Sequence, residues 1–323
     1  MRAAIWLGEG SVEVREVDDP DPAPGEQVVR VIAAGICGSD LHAYRGRAGG
    51  RVPPLILGHE ATVEDETGNR SAVFPLLDCG HCDACRRGDT NLCGTRGLLG
   101  LSRPGLLADL VSLPSSCLVP LPASIDAVAG AMIEPMATAM QVGRITGPGT
   151  GSRVLVIGAG AVGLLAVHAL RSTGAAVDVV DPVGSRTSVA VRLGADRTGG
   201  TPAELPDATG AYDVVLDAVG AASTWADAIL AVRNGGTIAM VGLAARTGEL
   251  DMGQVVRRGV HVIGIYGYRR SDFAAALDLV ARSPLQLDWM SVRPLTAAAE
   301  MFAALETDPA GVIKVVFAPA PLT

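Results

Sequence analysis

Residues 153–182 place the strongest constraint on the fold of this chain. They read RVLVIGAGAVGLLAVHALRSTGAAVDVVDP: an apolar run, the pattern G-x-G-x-x-G at Gly158, Gly160 and Gly163, a helical stretch and a second apolar run ending at Asp181. The first two glycines allow a tight turn and close approach of a pyrophosphate, and the third lets a helix touch a strand. The helix N-terminus then offers free N–H groups to phosphate. The segment therefore predicts the first unit of a dinucleotide-binding parallel sheet.

The acidic residue that closes this unit indicates which dinucleotide is bound. Asp181 lies 18 residues after Gly163, where a carboxylate accepts hydrogen bonds from ribose hydroxyls and repels a 2′-phosphate. We therefore predict NAD, while Arg186 keeps NADP open as an alternative. The predicted cofactor-binding residues are Gly158, Gly160, Ala161, Val162, Gly163, Asp181 and Arg186.

Three later segments extend the predicted sheet. YDVVLDAVG, GGTIAMVGLA and VHVIGIYGY, which begin at Tyr212, Gly235 and Val260, read as buried parallel strands.

At about 150 residues per domain, 323 residues suggest two domains. A hydrophobic fraction of 49% with 40 glycines is typical of a compact protein. We predict an α/β fold with a doubly wound parallel sheet.

Charge and the N-terminal sequence exclude several classes of partner. The formal net charge is −8, whereas binding to nucleic acid or anionic lipid requires clustered Lys and Arg. The N-terminus, MRAAIWLGEGSVEVREVDD, becomes acidic before an apolar run of signal length, and later apolar runs are short of the ~20 residues that span a membrane. We expect a cytoplasmic protein with no nucleic-acid or membrane partner.

Four of the six cysteines lie within fifteen residues, in CGHCDACRRGDTNLC. Their spacing is typical of one closed tetrahedral Zn²⁺ site with a structural role. A ligand role for His81 in place of one thiolate and a disulfide remain alternatives, although thiols stay reduced in the cytosol. The predicted structural metal ligands are Cys79, Cys82, Cys85 and Cys93.

A second candidate metal site lies upstream. Cys37 occurs in AAGICGSDLHAYRG, and LGHE places His59 and Glu60 together 22 residues after that cysteine. A thiolate, an imidazole and a carboxylate would leave a fourth position open on zinc for substrate. Each residue alone is more typical of a protein core.

The order of these motifs indicates a family. GICGSDLH, GHE, the four-cysteine loop, IEPMATAM and VLVIGAGAVG follow one another as in the zinc-dependent medium-chain alcohol and polyol dehydrogenases, and the chain resembles them over nearly its whole length. It is most similar to the sorbitol and threonine dehydrogenase branch, because Glu60 follows His59 directly and Glu134 stands where ethanol-type enzymes carry a cysteine ligand. The resemblance implies catalytic zinc on Cys37, His59 and a glutamate.

Charge favours Glu60 as that glutamate. One thiolate, one neutral imidazole and one carboxylate neutralise Zn²⁺, so a bound alcohol is still strongly acidified. A second carboxylate would make the site anionic, so we expect Glu134 to bond the metal-bound water or to replace Glu60. The reverse order stays open.

The resemblance also implies roles for polar residues that follow Cys37. Ser39 matches the hydroxyl that accepts the substrate proton, and His42 matches the outer end of that proton relay. Asp40 matches a carboxylate that supports the metal ligands. Tyr44, together with Glu134, resembles a substrate-positioning group. For Ser39 and Asp40, turn or helix-capping chemistry is an alternative that is compatible with these roles.

We expect residues 1–136 to form the first part of a GroES-like β-rich catalytic domain, 137–267 a Rossmann domain, and 268–323 to complete the catalytic domain. A cleft between the domains would bring nicotinamide against zinc. The segment between Glu60 and Cys79 is short for the family and lacks its usual GDRV strand, so we expect trimmed strands there.

The combined hypothesis is a zinc-dependent oxidoreductase with two zinc ions per chain, one catalytic and one structural. It would transfer a hydride from a secondary alcohol to NAD. Candidate substrates are polyols, sugars, amino alcohols and aminocyclitols such as 2-deoxy-scyllo-inosamine. The alternatives are a carbonyl reductase of the same family that uses NADPH and a non-catalytic, zinc-stabilised NAD-binding sensor. The resemblance implies a homodimer or homotetramer.

Overall fold

A computed structural model describes residues 1–308 and 311–318 of the chain. The chain divides into two compact units, and elements are numbered in chain order through both. One unit comprises Met1–Glu134 and the described part of Arg269–Thr323, and the other comprises Pro135–Tyr268.

The first unit is rich in short strands. Its helices are α1 (Gly38–Tyr44), α2 (Asp83–Arg86), α3 (Ala127–Ala131), α9 (Arg270–Arg282) and α10 (Ala298–Thr307), with α4 (Ile133–Thr146) beginning at its boundary. Its strands are β1 (Arg2–Gly8), β2 (Ser11–Glu16), β3 (Glu26–Gly35), β4 (Leu55–Ile56), β5 (Glu60–Glu64), β6 (Arg70–Val73), β7 (Leu76–Leu77), β8 (Gly97–Leu98), β9 (Leu110–Pro114), β10 (Leu118–Pro120), β17 (Met290–Arg293) and β18 (Lys314–Phe317).

Three sheets build this unit. The largest runs in the order β10-β6-β5-β3-β18-β17, with β9 also paired to β3; β2-β1-β4 and β7-β8 form smaller sheets. The long strand β3 is central because its first half pairs with β9 and its second half with β5. Side chains from these strands and from α10 form one apolar core, which includes Trp6 and Phe302. The unit therefore matches a β-rich domain that the C-terminal region completes.

The short segment after Glu60 keeps its strand. A tight turn at Asp65 joins β5 to β6, and β6 pairs with both β5 and β10. One carboxylate oxygen of Asp65 accepts from the N–H groups of Thr67 and Asn69, both at 2.9 Å. Hydrogen bonds from the Thr67 and Asn69 side chains lower the pKa of Asp65 to about 2. A compact turn and the short strands β6 and β7 make up this segment, and the expectation that its strands are trimmed relative to the family stays a prediction.

The second unit is an alternating α/β structure. Its strands are β11 (Arg153–Ile157), β12 (Ala176–Val180), β13 (Arg197–Gly199), β14 (Tyr212–Asp217), β15 (Val232–Met240) and β16 (His261–Gly264), and its helices after α4 are α5 (Ala161–Arg171), α6 (Gly184–Arg192), α7 (Ala222–Ala231) and α8 (Met252–Arg258).

These six strands form one parallel sheet in the order β13-β12-β11-β14-β15-β16. The order reverses beside β11, the switch point at which sheets of this kind bind dinucleotides. Residues 154–157 of β11 are all buried, as expected for a central strand covered on both faces. The predicted α/β fold class and doubly wound sheet are confirmed.

Candidate functional site

The four clustered cysteines surround one point. Their sulfur atoms all lie within 4.8 Å of one another, with Cys79–Cys85 at 3.9 Å and Cys82–Cys85 at 3.5 Å. A tetrahedral Zn–S bond of about 2.3 Å implies sulfur separations of about 3.8 Å. All six cysteines of the chain, each within the described residues, are free thiols. The geometry fits a closed zinc site and not a disulfide.

Backbone N–H groups favour the thiolate form of Cys79, which is the form that binds a metal ion. Hydrogen bonds from the His81 and Cys82 backbones lower the pKa of the Cys79 thiol to about 6. Burial raises the pKa of Cys85 to about 12, a cost that a bound zinc ion would remove. The His81 ring nitrogen Nδ1 lies 2.7 Å from the carbonyl oxygen of Cys79, and His81 is not in the metal-ligand group. The four thiols therefore form the donor set.

The second donor set is assembled by strand register. In the antiparallel pair of β3 and β5, Gly35 lies opposite Glu60. Cys37 follows the end of β3 and His59 precedes β5, so both reach the same end of the pair. One donor atom each from Cys37, His59 and Glu60 lies within 4.8 Å of the others. Sulfur, imidazole nitrogen and carboxylate oxygen are all zinc ligands, so these residues fit a zinc ion.

Asp40 lies next to two residues of this donor group, Cys37 and His59. Its side chain is fully buried; one oxygen accepts from the Cys37 backbone N–H at 3.1 Å, and the other lies 3.7 Å from His59 Nδ1. Burial opposes protonation of His59, but the charges of Asp40 and Cys37 hold its pKa well above the ordinary value. With Nδ1 directed toward Asp40, Nε2 is left for a metal ion. Asp40 thus combines support of a ligand with capping of α1.

Sequence reasoning missed Lys314 as part of this site. Its ammonium donates to the Glu60 carboxylate and, at 2.7 Å, to the carbonyl oxygen of Ile36. Both charged side chains are almost completely buried, with Lys314 3% and Glu60 1% exposed. Gly35 leaves the room for this pair, because a Cβ there would overlap the Glu60 carboxylate. The available signal was that Lys314 is the only lysine in the sequence.

Glu134, at the start of α4, lies close enough for its charge to contribute to raising the pKa values of His59 and Lys314. It is not part of the three-residue donor group, which contains Glu60. Of the two glutamates, only Glu60 therefore joins Cys37 and His59 in one donor group, while the charges of both carboxylates act on the same site.

The predicted relay residues Ser39 and His42 lie on α1, as does the predicted substrate residue Tyr44. The hydroxyl of Ser39 lies 3.5 Å from His59 Nε2. Burial and the neighbouring cations Arg45, Arg47 and Arg51 lower the pKa of His42.

Tyr44, at the end of α1, packs its ring against Phe302 with the ring centroids 5.5 Å apart. This contact belongs to the apolar core. A substrate contact of Tyr44 therefore stays a prediction.

The glycine turn has the predicted geometry. Gly158 has φ +100°, a conformation that favours glycine, and a Cβ at Gly163 would overlap the carbonyl oxygen of Gly158. By contrast, a Cβ at Gly160 would meet no atom within 4 Å. Ala161 and Val162 open helix α5 directly after this space. The turn therefore leaves open space at the helix N-terminus, where the sequence predicts a pyrophosphate.

Asp181 lies beside this turn at the end of β12. Its two carboxylate oxygens accept from the N–H groups of Ala159 at 2.8 Å and Val183 at 2.9 Å. Each oxygen retains a lone pair for a ribose hydroxyl. Arg186 lies 3.9 Å from the carboxylate. Both predicted residues therefore flank the glycine turn.

No helix within the described residues combines the length and apolar character needed to cross a bilayer.

Two sequence profiles match the chain. The profile described as "Alcohol dehydrogenase GroES-like domain" matches residues 23–123, and "Zinc-binding dehydrogenase" matches residues 161–282. The first range contains both cysteine-bearing donor sets, and the second begins at the glycine turn and covers most of the parallel sheet.

The chain is similar to two dehydrogenases in sequence and to one reductase in structure. It is 36% identical to L-threonine 3-dehydrogenase of Pyrococcus abyssi in an alignment that spans 57% of each chain. It is 29% identical to 2-dehydro-3-deoxy-L-galactonate 5-dehydrogenase of Pseudoalteromonas atlantica over 96% of this chain and 97% of the relative. The structure of acetophenone reductase from Geotrichum candidum in complex with NAD has a TM-score of 0.90, 26% identity, and coverage of 98% and 96%. The chain belongs to the zinc-dependent medium-chain alcohol and polyol dehydrogenase family.

Proposed function

We propose that this protein oxidises a secondary alcohol with NAD. The observation that carries the proposal is the donor group of half-buried Cys37 with buried His59 and Glu60, in a chain that also has a dinucleotide turn. When bound, a zinc ion at this group acts as a Lewis acid on the substrate hydroxyl, and NAD accepts the hydride.

Charge balance supports a divalent cation at this group. With His59 neutral, as a zinc ligand must be, four groups are negative when ionised and two are positive, which leaves a net charge of −2 for one Zn²⁺ to neutralise. The positive groups are buried Arg51 and Lys314. The negative groups are Cys37, Asp40, Glu60 and Glu134.

Lys314 also changes the charge balance for the two glutamates, Glu60 and Glu134. Because its ammonium pairs with Glu60, a second carboxylate from Glu134 would not leave the site anionic. We therefore propose Glu60 as the third ligand in the resting protein and Glu134 as a carboxylate that can also approach the ion. The second zinc ion belongs to the four-cysteine cluster.

The residues of α1 provide a route for the substrate proton. Ser39 accepts this proton, and His42 is the base at the outer end of the route. Burial and Arg45 lower the pKa of His42, so its imidazole is neutral at pH 7. Among the described residues, no group lies within hydrogen-bonding distance of buried His42 Nδ1, which leaves this nitrogen ready for a proton.

NAD is the preferred cofactor in this proposal. A 2′-phosphate next to Asp181 would meet a buried carboxylate whose oxygens already face the turn. Arg186 lies close to the same carboxylate and offsets part of that repulsion. A direct comparison of NAD and NADP as oxidants tests this choice.

The proposed substrate carries a polar group next to the reacting hydroxyl. The two relatives are named for threonine and for a galactonate derivative, and Glu134 offers a second carboxylate near His59. Polyols, sugars, amino alcohols and aminocyclitols such as 2-deoxy-scyllo-inosamine fit this description.

Reduction of NAD by a panel of alditols, sugar acids, cyclitols, aminocyclitols and amino alcohols tests the function. We expect turnover with at least one class, two zinc ions per chain, and loss of turnover in Cys37→Ala. Cys117→Ala is the matched control, because this buried thiol lies outside both donor sets. Stoichiometric binding of zinc and NADH without turnover on any substrate would instead favour the sensor.

We also propose that the protein is a homodimer or homotetramer. Strand β16 is an edge of the six-stranded sheet. The same unit exposes the apolar side chains of Leu243, Met252 and Val256, each more than half exposed. A second copy could cover these groups. Light scattering that gives the mass of a single 32.9 kDa chain would contradict this proposal.

A further inference from the structure

Arg51 is a buried cation that sequence reasoning did not single out. It lies in the connection between α1 and β4, and its side chain is 5% exposed. Its Nε donates to the carbonyl oxygen of Gly100 at 2.7 Å, and one terminal nitrogen donates to the Ser39 hydroxyl at 3.1 Å. The same nitrogen lies 3.4 Å from the Asp40 carboxylate. Arg51 therefore touches both the relay hydroxyl and the residue that supports His59.

The contact with Ser39 limits what that hydroxyl can do. A serine hydroxyl has one hydrogen to donate and two lone pairs that accept, whereas a guanidinium only donates. The bond from Arg51 therefore occupies one lone pair of Ser39. One lone pair and the hydroxyl hydrogen remain for other partners.

We propose that Arg51 is a positioning residue that gives the Ser39 relay its direction. With one lone pair occupied, Ser39 can receive the substrate proton only at its second lone pair, and it must release its own hydrogen outward. One proton arrives and one leaves, so Ser39 ends the step as a neutral hydroxyl. This inference rests on the proposed function, because it assigns a direction to that proton route.

A purely structural role of Arg51 is the competing explanation. The bond to Gly100 joins the 45–54 connection to a distant loop, and its loss would destabilise the unit without acting through Ser39. The test must therefore separate an effect on Ser39 from an effect on folding.

The functional test is a double-mutant cycle of Arg51→Met and Ser39→Ala. Each single variant is expected to lower kcat by about 100-fold, at the lower end of the range for proton transfer groups, with KM for NAD unchanged. The double variant is expected to have the kcat of Ser39→Ala, because Arg51 acts through that hydroxyl. Effects on kcat that multiply would overturn the proposal.

Crystal structures of the zinc-loaded variants test positioning without turnover. We expect one Ser39 rotamer in the unmodified protein and several in Arg51→Met; a single unchanged rotamer in Arg51→Met would overturn the proposal. If Arg51→Met does not fold, Arg51→Gln, which retains a shorter donor, takes its place in both measurements with the same criteria.

The matched control is Arg45→Met. Arg45 lies in the same segment and also lowers the pKa of His42, but its guanidinium pairs with Glu306 at the surface. Above the pKa of His42 we expect it to keep kcat and a single Ser39 rotamer; a loss of kcat equal to that of Arg51→Met would contradict a specific role for Arg51. Absence of turnover in the unmodified protein would count against the proposed function alone, because the rotamer measurement still decides the role of Arg51.

Discussion

At the scale of single residues, the pair of Lys314 and Glu60 gives a stability prediction. In the metal-free protein, Lys314→Met leaves the Glu60 carboxylate buried beside an apolar side chain. Loss of one partner of a buried ion pair costs about 3–5 kcal/mol. We therefore expect the free energy of unfolding, measured with denaturant after chelation, to fall by about that amount.

The double variant Glu60→Gln with Lys314→Met provides the control for this prediction. It removes both charges, so we expect it to regain a large part of the lost stability in the same metal-free state. A double variant no more stable than Lys314→Met would show that the buried charge is not the cause.

His42 gives a prediction about pH. Burial and the cations Arg45, Arg47 and Arg51 lower its pKa from the ordinary value of 6.5, and only the neutral ring accepts a proton. Activity should therefore persist below pH 6.5 and fall as the pH drops through the lowered pKa. Removal of one cation in Arg45→Met should move this fall to higher pH. The measurement is the pH dependence of kcat/KM, and an unshifted or downward-shifted profile would contradict the assignment.

At the scale of secondary-structure elements, the glycine turn before α5 separates folding from binding. Gly163→Ala forces a Cβ against the Gly158 carbonyl, so we expect a lower melting temperature as well as weaker NADH binding. By contrast, Gly160 has an ordinary φ of −75°, and a Cβ at this position would meet open space. Gly160→Ala should therefore keep the melting temperature but weaken NADH binding, because its methyl group enters the proposed pyrophosphate gap. Equal melting temperatures for the two variants would contradict the turn geometry.

The four-cysteine segment around α2 gives a further prediction at this scale. Cys93→Ala removes one of four thiolates, so we expect one zinc ion per chain in place of two and a lower melting temperature. Turnover per folded molecule should persist, because Cys37, His59 and Glu60 are untouched. Zinc analysis and thermal unfolding check this outcome, with Cys117→Ala as the thiol control that keeps both ions. Complete loss of turnover in a folded Cys93→Ala protein would contradict a structural role.

At the scale of the whole molecule, local patterns were readable from the sequence and long-range contacts were not. The glycine turn and the cysteine cluster each lie within a short segment, so spacing alone determines which atoms can meet. The pairing of Cys37 with His59 depends on the register of β3 and β5, which only the family resemblance could suggest. Lys314 lies 254 residues from Glu60, and nothing local links them. Likewise, the segment RGRAGGR contains three arginines, and only folding shows that Arg51 is the buried one.

The division into two units predicts separable responses to the two ligands. Each unit has its own apolar core, the metal donors lie in the first unit, and the glycine turn lies in the second. A ligand stabilises the unit that binds it, by about 2.7 kcal/mol at one hundred times its Kd. We therefore expect calorimetry to resolve two transitions, one raised by NADH and the other lowered by zinc chelation. Gly160→Ala should weaken the response to NADH and preserve the response to chelation. A single transition that both treatments shift equally would mean that the units unfold together, and the stability of each site would then depend on the whole chain.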